Sequence, residues 1–231
     1  METIHIQSFV SAPPNAVWEQ LLARPDIVLD ALPVQAWPDQ REESAPSRLL
    51  VRWPFSSGGT ATTSVAISLT EVSGGTRIDL KHEGWHEEPG WQDAIAGHFA
   101  GWLQALAALG LLVESGKDPR AASAVLVGRE RYFASAEIPA STDAVFRALA
   151  DPEVRDRWAD GALDGCALTE KLEGRFLRFT LPGAAGPGEL TIILRRTPRG
   201  AHCALAEYGV TDRSASARWP KLLERLTRFL R

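Results

Sequence analysis

The sequence is poor in cysteine. Its 2 cysteines, Cys166 and Cys203, both lie in the second half of 231 residues. One possible pair is a weak frame for a disulfide-held domain, so two free thiols in a reducing cytoplasm is the simpler expectation. Basic charge is short as well: 25 Lys and Arg against 29 Asp and Glu leave a formal net charge of -4. Neutralising phosphates takes a concentrated basic patch, so nucleic acid is not an expected partner. The most apolar stretch, Ala105 to Val113, is well short of the ~20 residues that cross a bilayer, and no membrane span is expected. The N-terminal segment from Met1 to Pro14 has no basic stretch followed by an apolar one and does not read as a signal peptide. What remains is an ordinary globular composition, 45% hydrophobic and 23% charged, long enough for one large domain or two of common size.

Two is the better reading, because the chain repeats itself. Val10 to Leu21 slides onto Ile138 to Leu149 at one constant offset, with Val17, Trp18 and Leu21 falling on Val145, Phe146 and Leu149, the same i, i+1, i+4 stripe of a helix. Pro13 and Pro14 suit a first helical turn, and Ser141, Thr142 or Asp143 can cap the second copy. Short second helices are expected at Pro25–Leu32 and Pro152–Trp158. Strands are expected near Thr3–Val10, Ser47–Pro54, Thr60–Val72 and Thr76–Gly84, with Val34–Trp37 as a possible extra. In the second copy they fall near Arg131–Ile138, Cys166–Glu170, Arg175–Leu181, Glu189–Thr197 and Ala201–Gly209. Gly74-Gly75 and Pro198-Arg199-Gly200 sit between alternating runs and mark hairpins. Each copy closes with a long amphipathic helix, carried by Trp91, Ile95, Phe99, Trp102, Leu106, Leu109 and Val113 in one, and by Trp219, Leu222, Leu223, Leu226, Phe229 and Leu230 in the other. The fold class is therefore α+β: two tandem modules, 1–115 and 129–231, joined by a polar, breaker-rich linker at 116–128.

The first copy also carries text. Leu49-Leu50-Val51-Arg52-Trp53, then Ser64 to Val72, then Gly75 to Trp85 including His82-Glu83-Gly84-Trp85, and then Gly101-Trp102-Leu103-Gln104-Ala105-Leu106 resemble the family of activators of the heat-shock-protein-90 ATPase, in the START-like, or SRPBCC, superfamily. The resemblance implies a helix-grip fold, a curved antiparallel sheet wrapped on its last helix. It also implies either a cavity for a small apolar ligand or a surface for a chaperone partner. The second copy keeps the order and spacing but shows Glu207-Tyr208-Gly209-Val210 in place of the His-Glu-Gly-Trp text. Family members place a glycine-rich central hairpin where this chain has only Pro33–Pro46, so a shortened sheet is expected.

The motifs weigh little against bland alternatives. His82-Glu83-Gly84-Trp85-His86 matches a zinc-protease pattern that works only on a helix, and here it ends a strand, so no metal is expected. The cluster His82, Glu83, His86, Glu87 and Glu88 reads as a solvated connection at a cavity mouth, and His98 as a satisfied core histidine. Arg218, Lys221, Arg225, Arg228 and Arg231 read as a solvated basic face. Neither cysteine has a histidine placed to activate it, and Ser56-Ser57-Gly58-Gly59-Thr60 lacks the Lys and helix of a phosphate loop. The expectation is thus a protein without catalytic residues, metal or cofactor. It would hold a small hydrophobic molecule among Trp53, Trp85, His82, Phe99 and Trp102. The alternatives are a protein-interaction regulator, and a cyclase- or hydrolase-like enzyme using His82 and Glu83 as acid and base.

Overall fold

The computed structural model describes residues 3–28, 41–54, 62–85, 91–119, 131–182, 188–209 and 215–231. The chain divides into two compact units, Met1–Asp118 and Pro119–Arg231. The first runs β1 (Ile4–Val10), α1 (Pro14–Ala23), α2 (Pro25–Val28), β2 (Arg41–Ser44), β3 (Arg48–Pro54), β4 (Thr62–Val72), β5 (Gly75–Glu83) and α3 (Trp91–Ser115). The second runs β6 (Arg131–Ile138), α4 (Thr142–Ala150), α5 (Pro152–Arg155), β7 (Ala167–Leu172), β8 (Phe176–Leu181), β9 (Gly188–Thr197), β10 (Gly200–Tyr208) and α6 (Ala215–Phe229). Both sheets are antiparallel and have the same strand order, β1-β5-β4-β3-β2 and β6-β10-β9-β8-β7. Each is a helix grip, and the tandem α+β reading holds.

Local chemistry explains the shared outline. In β1 and β5, Ile4, Ile6 and Val10 and then Thr76, Ile78, Leu80 and His82 alternate inward, the period that builds one buried face. Both short helix pairs break at a residue before proline, where α geometry is disfavoured. Arg24 takes φ -126 ψ 57 before Pro25, and Asp151 takes φ -83 ψ 116 before Pro152. The two helix starts differ. Pro13 caps α1 without a side-chain bond, whereas Ser141 accepts the Ala144 N–H at 3.2 Å and Asp151 accepts from Glu153 and Val154.

The cores match position by position. Val17, Trp18 and Leu21 face inward in the first unit, and Val145, Phe146 and Leu149 in the second. On the long helices, Trp102, Ala105, Leu106 and Leu109, and Trp219, Leu222, Leu223 and Leu226, lie against their own sheets. Each buried leucine contributes on the order of 1.5–3 kcal/mol. By length and composition Ile95–Ser115 could cross a membrane, a longer apolar run than the sequence reading allowed. Here it is the core helix of its unit.

Two expectations need correction. The stretch Pro33–Pro46 holds a strand that the sequence reading did not place, Arg41–Ser44, which pairs with β3, and each sheet has five strands among the described residues. This strand escaped notice because all four of its residues are exposed, leaving no alternation to read. The short helix of the second unit is one turn and does not extend to Trp158; in the first unit Pro25–Val28 is helical, and the rest of Pro25–Leu32 lies outside the described residues. The possible strand at Val34–Trp37 lies outside the described residues.

Candidate functional site

At the same place in each unit, the closing helix sends an indole N–H to an acceptor near the end of the last strand. In the first, Trp102 Nε1 donates to His82 Nδ1 at 3.0 Å. An indole can only donate, so the imidazole proton sits on Nε2, which faces Thr63 Oγ1 at 2.8 Å. Trp85 Nε1 donates to the His82 carbonyl at 3.0 Å, and its ring lies 4.2 Å from the imidazole. His98, on the turn before Trp102, brings its ring within 5.3 Å of His82 and 5.1 Å of Trp85. Burial, with a smaller contribution from His98, pushes the His82 pKa from 6.5 down to about 3. His82 is a neutral, fully paired linchpin between strand and helix.

Of the residues expected to line a cavity, His82, Trp85 and Trp102 are therefore brought together, but as packed core. Phe99 is not among them and stands 44% exposed. It lies at the edge of the inward stripe, and its neighbour His98 takes the side that meets the strand. Trp53 pairs with Thr63 in register, but its side chain lies outside the described residues, as does His86. Strand alternation separates His82, inside, from Glu83, exposed, so the two do not converge as an acid and base.

In the second unit Glu207 occupies the place of His82. It is buried, accepts from Trp219 Nε1, and receives Arg218 Nη2 at 3.0 Å on each oxygen. The Arg218 guanidinium lies 4.4 Å over the Trp219 ring. The expected solvated basic face holds for Lys221, Arg228 and Arg231, which are exposed, and is corrected for two residues: Arg218 turns inward to the carboxylate and Arg225 binds the Ala159 carbonyl and Asp160. Ion pairs across elements override the outward preference of a lone charge.

Beside this network, after α5, a cleft of about 300 Å³ is lined by Arg155, Asp156, Ala159, Gly161, Leu163 and Asp164. The Arg155 guanidinium lies 5.7 Å over the ring of Phe179, a core residue of β8, and donates to the Leu149 carbonyl at 3.4 Å. Cys166 lies close by. Burial raises its pKa, and Arg218 and Arg155 pull it the other way. Cys203 is free and buried, with its pKa pushed up to about 12. Among the described residues no group of three or more His, Cys, Asp or Glu could hold a metal ion.

Sequence reasoning passed over Arg155, read Arg218 as solvated, and gave Glu207 no site role. A signal existed for Glu207: aligning the two strand ends, His82-Glu83-Gly84 with Glu207-Tyr208-Gly209, places one buried polar residue on the other.

No family model and no curated protein matches the chain. Several solved structures resemble it. DynU16, from the dynemicin biosynthetic locus, is 19% identical with 99% of this chain and 97% of that chain covered, at a TM-score of 0.45. The di-domain ARO/CYC BexL, from the BE-7585A biosynthetic pathway, is 13% identical with 100% and 97% covered, at 0.39. The di-domain ARO/CYC StfQ, from the steffimycin biosynthetic pathway, is 10% identical with 98% and 98% covered, at 0.37. Two of these structures are described as ARO/CYC, which runs against the expectation of a chain that is not an enzyme; likeness at this level shows the fold and assigns no activity.

Proposed function

We propose that the chain binds a small, largely apolar molecule at the open end of a helix grip, and that the second unit holds the site. The observation that carries this reading is the cleft of about 300 Å³ over Ala159 and Leu163, with Arg155 bridging from it to the ring of Phe179 in the core. That volume is at the small end of the ~300–1,000 Å³ of ligand sites, and the lining is more polar than is usual for them, with Arg155, Asp156 and Asp164 around Ala159 and Leu163. In the first unit the buried polar group at the strand end, His82, has both ring nitrogens and its carbonyl engaged, as Glu207 is engaged in the second, so neither is left for a ligand. The likeness of residues 1–115 to the chaperone ATPase activator family stays a proposal about that unit. A partner-binding role would need a contiguous apolar patch. Among the described residues, the exposed large hydrophobics are Phe9 and Phe99. Phe9 pairs with Arg77 at one end of the sheet, and Phe99 stands one turn from Trp102, which meets His82 at the other.

A second reading is favoured by the same lining. Arg155 shares the cleft with the carboxylates of Asp156 and Asp164, pairing proton acceptors with a cation that can stabilise developing negative charge, the requirement of a cyclase-type condensation. A saturable fluorescence titration of the full chain with the neutral probe N-phenyl-1-naphthylamine tests the binding reading. Asp164→Trp, at an exposed position that fills the cleft, should abolish the signal, and Trp85→Phe should leave it intact. Absence of saturable binding, or loss in Trp85→Phe alone, overturns the assignment.

A further inference from the structure

We propose that the cleft of the second unit selects molecules that join an apolar ring system to one anionic oxygen group, a carboxylate, sulfonate or enolate, and that Arg155 recognises that group. This rests on the binding reading above and names its ligand class.

Two of the cations in this region are already paired. Arg218 is bound to Glu207, and Arg225 to Asp160. Arg155 has no carboxylate within ion-pair distance among the described residues, and its one side-chain hydrogen bond is to a neutral carbonyl, Leu149 O, at 3.4 Å. A guanidinium has five N–H donors in a rigid fork, so this one, which lines the cleft, has donors left over. Its position over Phe179, 5.7 Å from the ring centroid, restrains the side chain by cation–π contact and so lowers the entropy lost on binding. A bidentate oxygen pair is the partner that matches this fork.

The ring system has its own support. Ala159 and Leu163 are core residues that also line the cleft; little of either is exposed and most of the cleft's open surface is polar, so a ring system meets a narrow apolar edge beside the charged group. The cleft's two carboxylates argue the other way, toward a cation, and have to be weighed. Asp156 and Asp164 are exposed, so water and salt screen them. Arg155 is half-buried against an aromatic ring, where a charge acts through a lower effective dielectric. The carboxylates limit the ligand to a single, delocalised negative charge, since a dianion would meet their repulsion.

The test uses three probes that share a naphthalene ring and differ in charge: neutral N-phenyl-1-naphthylamine, anionic 1-anilinonaphthalene-8-sulfonate and cationic 1-naphthylmethylammonium. Each is titrated by competition into the full chain, its Arg155→Gln and Arg155→Lys variants, and Asp164→Trp, with thermal unfolding confirming that every variant is folded. The anionic probe is expected to bind about tenfold or more tighter than the neutral one. Arg155→Gln should bring the two within about twofold while leaving the neutral probe unchanged, and Arg155→Lys should recover part of the difference. If the neutral probe binds and Asp164→Trp abolishes it, but Arg155→Gln does not weaken the anion or the cation binds best, the ligand class is wrong and the binding reading stands. If no probe binds, both fall.

Discussion

Lowering the pH from 7 to 5 should loosen the first unit through a single side chain, His82. Its imidazole faces Thr63 from β4, Trp85 beyond β5, and His98 and Trp102 from α3, with no carboxylate among these contacts to welcome a proton. The folded pKa of about 3 lies below the ordinary 6.5, so the unfolded chain takes up the proton first. The stability held by neutral His82 is complete above about 6.5 and drains away as the pH falls toward about 3. At ~1.4 kcal/mol per pH unit, the loss on reaching pH 5 is roughly 2 kcal/mol. His82→Gln cannot titrate and is expected to cost ~1–3 kcal/mol at pH 7, as part of the paired network is lost. Its stability should then fall less between pH 7 and pH 5 than that of the unchanged chain, by the same ~2 kcal/mol. Hydrogen exchange of the β5 amides reads the first unit alone, which avoids treating a two-unit chain as one transition. An imidazole NMR titration reads the group directly and does not depend on the variant. A His82 titration near pH 6.5, or equal pH losses in both proteins, would refute the reasoning.

The two units also predict parallel failures. A Cβ at Gly75 would lie 2.1 Å from Val10 O, and one at Gly200 2.2 Å from Ile138 O, because each glycine starts the last strand where the first strand ends. Gly75→Ala and Gly200→Ala should each lose on the order of 3 kcal/mol or more in thermal or urea unfolding. Gly97→Ala, in open space on α3, should gain roughly 0.5–1 kcal/mol; similar losses at all three sites would contradict the close-approach argument. Trp219→Phe removes the indole donor from the charged Glu207 and should cost the second unit ~1.5–3 kcal/mol beyond the lost packing. Trp102→Phe removes one from neutral His82 and should cost less, so equal penalties would show that packing alone ties these helices to their strands.

Much of this architecture was legible in the amino-acid order, because its signals are local. Alternation in Ile4 to Val10 and Thr76 to His82 places strands, the proline after Arg24 and after Asp151 ends the first helix of each pair, and Gly74-Gly75 and Pro198 to Gly200 turn hairpins. The apolar stripes of the two long helices require a sheet to cover them, and the repetition of the whole pattern divides the chain in two. The site was not legible in the same way. Whether His82 is a base, a ligand or a neutral brace depends on Trp102, Thr63 and His98, which come from other elements. That Arg218 turns in rather than out depends on Glu207, buried on the neighbouring strand. Arg155 is one charge among many until the turn after α5 brings Ala159, Leu163 and Asp164 around it and β8 puts Phe179 beneath. Periodicity encodes which face of an element is buried. Which polar group meets which inside that face is a property of packing between elements distant in sequence, and only the tertiary structure decides it.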